Sequence, residues 1–119
     1  MKRLSVFLII LIAFLSLGCK KPATTTATAT DKYRGVIVKN ICCQVVVQAI
    51  GGSLIGQAWV DGPTAYSYVF KVSNPCQFGN HVAGDTINFR LVAAEVQNCA
   101  CCMIYTSTPD TAYAVEVVN

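Results

Sequence analysis

The chain has 119 residues, room for one small domain, and a formal net charge of +3. That charge lies entirely in Lys2, Arg3, Lys20 and Lys21 less Asp31. From residue 32 onward, five basic residues (Lys32, Arg34, Lys39, Lys71, Arg90) balance five acidic ones (Asp61, Asp85, Glu95, Asp110, Glu116). Nucleic-acid binding draws on clustered cations that displace counterions from phosphates, and a neutral domain without such a cluster excludes nucleic acid as a partner.

Lys2 and Arg3 precede an apolar run over residues 4–17. The run is shorter than the about 20 residues that a spanning helix requires. A short apolar stretch behind a basic start reads as a signal peptide, here residues 1–18. It ends in Leu15-Ser16-Leu17-Gly18-Cys19. This ending resembles the lipobox of bacterial lipoproteins in the relaxed form of the Bacteroidetes, with Ser16 where Leu is usual. The resemblance implies cleavage before Cys19, a diacylglyceryl thioether on its sulfur and a third acyl chain on its amine. Several chains anchor a protein stably where one would be marginal. Lys20, where Asp would retain an enteric lipoprotein in the inner membrane, implies the outer membrane. The run Lys20-Lys21-Pro22, in place of the acids of surface lipoproteins, implies its periplasmic face.

Residues 23–30 are only Ala and Thr. They offer no apolar face to bury, so residues 19–31 read as a lipidated cysteine and a disordered tether. The domain is then residues 32–119, small enough that covalent staples matter.

The domain reads as strands. Val36-Ile37-Val38 is one, and the apolar run at residues 45–50 is a second, ended by the turn Gly51-Gly52-Ser53. Trp59-Val60 closes a short apolar stretch before the turn Asp61-Gly62-Pro63. Tyr66, Tyr68, Phe70 and Val72 alternate with polar or smaller neighbours, a period of two that predicts a strand with one buried aromatic face. Asn74-Pro75 ends it. After Gly84-Asp85, Ile87, Phe89 and Leu91 point one way and Thr86, Asn88 and Arg90 the other. Residues 91–96 are the one place for a helical turn. Met103-Ile104-Tyr105 reads as a strand, Thr108-Pro109-Asp110 as a turn, and residues 113–118 as a last strand with Val115 and Val117 inward. The expectation is an all-β domain of five to seven antiparallel strands, a small barrel or a sandwich. Gly84-Asp85-Thr86-Ile87-Asn88-Phe89 resembles the Gly-Asp-x-Val-x-Phe strand start of OB-like barrels. With the lipobox, the chain resembles small Bacteroidetes lipoproteins with an OB-like β domain.

Seven cysteines are present. Assigning Cys19 to lipid leaves Cys42, Cys43, Cys76, Cys99, Cys101 and Cys102, an even number that an exported domain uses for disulfides. If Cys42 and Cys43 lie on a strand, they face opposite ways and seek different partners. A set that ties them to two of Cys99, Cys101 and Cys102, and Cys76 to the third, is the expected staple. The rival use of these thiols is a Cu(I) or Zn(II) site, with His81 as a nitrogen donor.

His81, the single histidine, falls in a loop with no triad around it. No phosphate-cradling glycine loop, nucleophile elbow or zinc-protease signature occurs. Asp61, Asp85 and Asp110 sit beside turn residues, where aspartate caps backbone. Trp59, Tyr66, Tyr68 and Phe70 read first as core and second as a ligand groove. The expected protein is therefore a lipid-anchored, non-enzymatic envelope protein without cofactor, metal or catalytic residue. It acts as a binding or envelope-interaction module, with the membrane as one partner through Cys19 and a protein or glycan as another. The alternative is a metal-binding (Cu or Zn) periplasmic lipoprotein that uses the cysteine cluster.

Overall fold

The alternating apolar positions assemble into one all-β sheet. The computed structural model describes residues 32–119; the expected signal peptide, Cys19 and the expected tether lie outside the described residues. Seven strands are formed: β1 (Tyr33–Ile41), β2 (Gln44–Gly51), β3 (Gln57–Asp61), β4 (Thr64–Val72), β5 (Thr86–Leu91), β6 (Ala112–Tyr113) and β7 (Val115–Val118). They run in the order β3-β4-β2-β1-β5-β7, with β6 paired to β4. All pairings are antiparallel except β6 with β4.

Period-two burial explains the core. Tyr33 and Ile37 on β1, Val45 and Val47 on β2, Phe70 and Val72 on β4, Ile87 and Phe89 on β5, and Val115 on β7 form one cluster with Phe78. Phe89 stacks on Tyr33 with ring centroids 5.4 Å apart and meets Phe70 at 5.6 Å. In a flat sheet, β4 and β5 would lie three strand spacings apart, roughly 14 Å. The Phe70–Phe89 contact therefore requires a strongly curved sheet. The last segment follows the curve: β7 pairs with β5, and Ala112 and Tyr113 just before it pair with Lys71 and Val72 of β4. The sheet is not closed into a barrel.

Gly35 on β1 permits this packing. A Cβ there would sit 2.6 Å from Val47 Cγ1 and 3.1 Å from the Phe89 ring. Asn74, buried after β4, both donates to Val115 O and accepts from Val115 N–H, each at 2.8 Å. Its carboxamide stands in for a strand partner where β7 begins.

Four expectations are corrected. Tyr66, Tyr68, Phe70 and Val72 do not share one buried face. Trp59 pairs with Tyr66 and Gln57 with Val69, so β4 carries an extra residue there. Tyr68 takes φ +57° and turns out to solvent. An inserted residue shifts the phase of every side chain beyond it. Gly56 accommodates the bulge, since a Cβ would meet Val69 O at 2.5 Å. Residues 103–105 form no strand, and residues 91–96 no helical turn: from residue 92 to 111 the chain is irregular. Side-chain amides and disulfides, not a ladder, fix that segment. The local helix is instead a 3-10 turn at Pro75–Gln77. Cys42 and Cys43, finally, lie in the turn between β1 and β2 rather than on a strand.

Candidate functional site

The site begins at that turn. Two residues connect β1 to β2, and both have positive φ, Cys42 at 50° and Cys43 at 65°. Tight two-residue hairpins favour this conformation because its twist matches the strands, and Asn-Gly is the usual choice. Cysteine at both corners replaces that backbone ease with covalent restraint. Cys42 is bonded to Cys102 and Cys43 to Cys101, with Cα atoms 5.2 and 5.6 Å apart. The third disulfide joins Cys76, in the 3-10 turn, to Cys99 at a Cα separation of 5.6 Å. Cys42 and Cys43 thus each take one member of the late cysteine group, and Cys76 takes the third.

Beyond the clamp the chain presents Met103, Ile104 and Tyr105, which are 89%, 51% and 91% exposed. Their backbone is nonetheless held. Gln44 Nε2 donates to Ile104 O at 2.7 Å, and Gln44 Oε1 accepts from Thr106 N–H at 3.1 Å and from the Thr106 hydroxyl. Lys39 Nζ donates to Ser107 O at 3.1 Å. Gln57 Oε1 accepts from Thr111 N–H and Oγ1 at 2.7 and 2.6 Å. Side chains from β1, β2 and β3 therefore fix residues 104–111 over the sheet. Beside the loop lies an open cleft of about 670 Å³, lined in part by Lys71, Pro75, Met103, Tyr105 and Asp110.

The aromatics divide. Phe70 is core. Trp59 and Tyr66 are half-buried and stack with centroids 5.9 Å apart. Lys39 Nζ sits 5.1 Å from the Trp59 ring centroid and pairs with Asp61 at 2.8 Å. The sequence gives no sign of this assembly, because β1 and β3 are adjacent neither in sequence nor in the sheet.

Among the described residues, the side chains close enough to share a metal ion are Cys43, Cys99 and Cys101, with sulfurs within 4.8 Å of one another. His81 is not with them. It edges against Phe78, its Nδ1 4.0 Å from Asp85 Oδ2. The turn acid Asp85 caps Val82 N–H at 3.0 Å, Glu116 pairs with Arg90, and Glu95 accepts from Gln77 at 3.1 Å. Compared with known proteins, the chain matches no family model, and no curated protein or solved structure is similar enough to count as a relative.

Proposed function

We propose that the protein is a lipid-anchored envelope protein whose β domain is a binding module, with Met103-Ile104-Tyr105 as its contact surface for a protein partner. One observation carries this reading: three large apolar side chains stand in solvent on a loop whose backbone is already fixed at both ends. Met and aromatic residues are enriched at interfaces. A loop ordered before binding loses little conformational entropy on contact. Trp59 supports a glycan partner less well, because Tyr66 and Lys39 already engage its ring. The anchor rests on Lys2, Arg3, the apolar run and Gly18-Cys19.

The test has two arms. Labelled palmitate should enter the native chain and be lost in Cys19→Ala. A photo-crosslinking residue at position 105 should give one defined protein adduct in cells. The same residue at exposed Val82 should not, and Met103→Asp should abolish the adduct. Equal crosslinking at both positions would sink the partner reading.

A second reading, a soft-metal site, is favoured by the spacing of the Cys43, Cys99 and Cys101 sulfurs. It requires those sulfurs as thiolates rather than disulfides. A count of free thiols alongside metal content on the purified chain separates the two.

A further inference from the structure

The three disulfides are packed against one another. Cys99 Sγ, bonded to Cys76, lies 3.9 Å from Cys43 Sγ and 3.8 Å from Cys101 Sγ. It therefore touches both sulfurs of a disulfide that is not its own. Cys99 and Cys101 are solvent-exposed, and Cys43 is half-buried. Thiol–disulfide exchange needs an attacking thiolate, access, and a disulfide sulfur within reach.

We propose that this cluster is a thiol–disulfide exchange site in which Cys99, once released from Cys76 by a dithiol donor, passes its reduction to the Cys43–Cys101 bond. A thiolate of the donor attacks exposed Cys99 Sγ, and Cys76 leaves as a thiolate and is protonated. The donor's second thiol then attacks its own sulfur in the mixed disulfide and releases Cys99. The donor ends as a disulfide, and two electrons and two protons have passed to the cysteine pair. Cys99 thiolate next attacks the Cys43–Cys101 bond. A bond forms from Cys99 to Cys43 or Cys101, the old bond breaks, and the displaced sulfur leaves as a thiolate that takes a proton from water. That second step has no net redox change. The Cys42–Cys102 bond lies outside the sulfur triangle and keeps the loop at the turn throughout.

The experiment uses the full lipidated chain in detergent. Cys76→Ser leaves one odd sulfur; acid quenching, alkylation and peptide mapping then locate the free thiol. The expected result is loss of label from Cys99 with matching gain at Cys43 or Cys101. Exchange runs through the thiolate, so redistribution should speed up about tenfold per pH unit below the thiol pKa. In Cys42→Ser, the label should stay on Cys102. Label confined to Cys99 at every pH would overturn the proposal. Because Cys76→Ser can impair folding, the native chain is also partly reduced with dithiothreitol. A species with free Cys76 together with free Cys43 or Cys101 supports exchange. Free Cys76 and Cys99 alone overturns it.

Discussion

Cys42 and Cys43 occupy both corners of one β-turn in the left-handed conformation, and each is tied to the reverse-order neighbour in Cys101-Cys102. The left-handed conformation costs a non-glycine residue roughly 1–2 kcal/mol. The two bonds hold it in place by joining the turn to residues 60 and 58 positions away. They are nested, so they are not independent.

Nesting has a measurable consequence. Closing a loop of about 60 residues stabilises by roughly 4 kcal/mol, whereas a second bond beside the first closes only a ring of a few residues, worth roughly 2 kcal/mol. Cys42→Ser with Cys102→Ser should therefore lower unfolding free energy by about 2 kcal/mol, and so should Cys43→Ser with Cys101→Ser. Removing all four sulfurs should cost about 6 kcal/mol. Urea unfolding checks this; a loss of about 4 kcal/mol for each pair alone would show the bonds acting independently.

Asn74 is 2% exposed and satisfies both backbone groups of Val115. Asn74→Ala should destabilise by about 1–3 kcal/mol for each backbone group left without a partner. Asn74→Asp keeps an acceptor for Val115 N–H but, when ionised, presents no proton to Val115 O. Its folded-state pKa should therefore rise above the unfolded value. The penalty grows as pH rises through the unfolded pKa, is complete above the folded one, and is absent below both. Denaturant midpoints taken from acid to neutral pH check this: relative to the native chain, Asn74→Asp should recover on acidification and Asn74→Ala should not.

Lys39 joins three parts of the domain: Asp61, Ser107 O and the Trp59 ring. Its side chain is only 12% exposed. Lys39→Ala should open Trp59, the single tryptophan, to acrylamide quenching and shift its emission to the red. It should also speed amide exchange near Ser107. Unchanged quenching and exchange would show that Lys39 does not hold this region.

The strands at the centre were readable because their burial has period two. Ile87 and Phe89 on β5, and Val115 opposite Glu116 on β7, alternate as the sequence does. The same rule fails at Tyr68, where the bulge depends on the pairing of β3 with β4 and on the close approach of Gly56. It fails again at residues 103–105, whose apolar side chains resemble a strand but are held by Gln44 and the cysteines. No local pattern encodes a hydrogen bond to a residue 60 positions away.

What the sequence determined by itself was the all-β class, the neutral domain behind a basic start, and an even set of six cysteines from residue 42 onward. Those follow from composition, order and parity. Only the tertiary structure decided which sulfurs meet, that Cys42 and Cys43 form a turn, and that Met103, Ile104 and Tyr105 stand exposed beside it. The reason is physical: local pattern fixes which face of a strand is buried, whereas contact between distant segments depends on the curvature of the whole sheet.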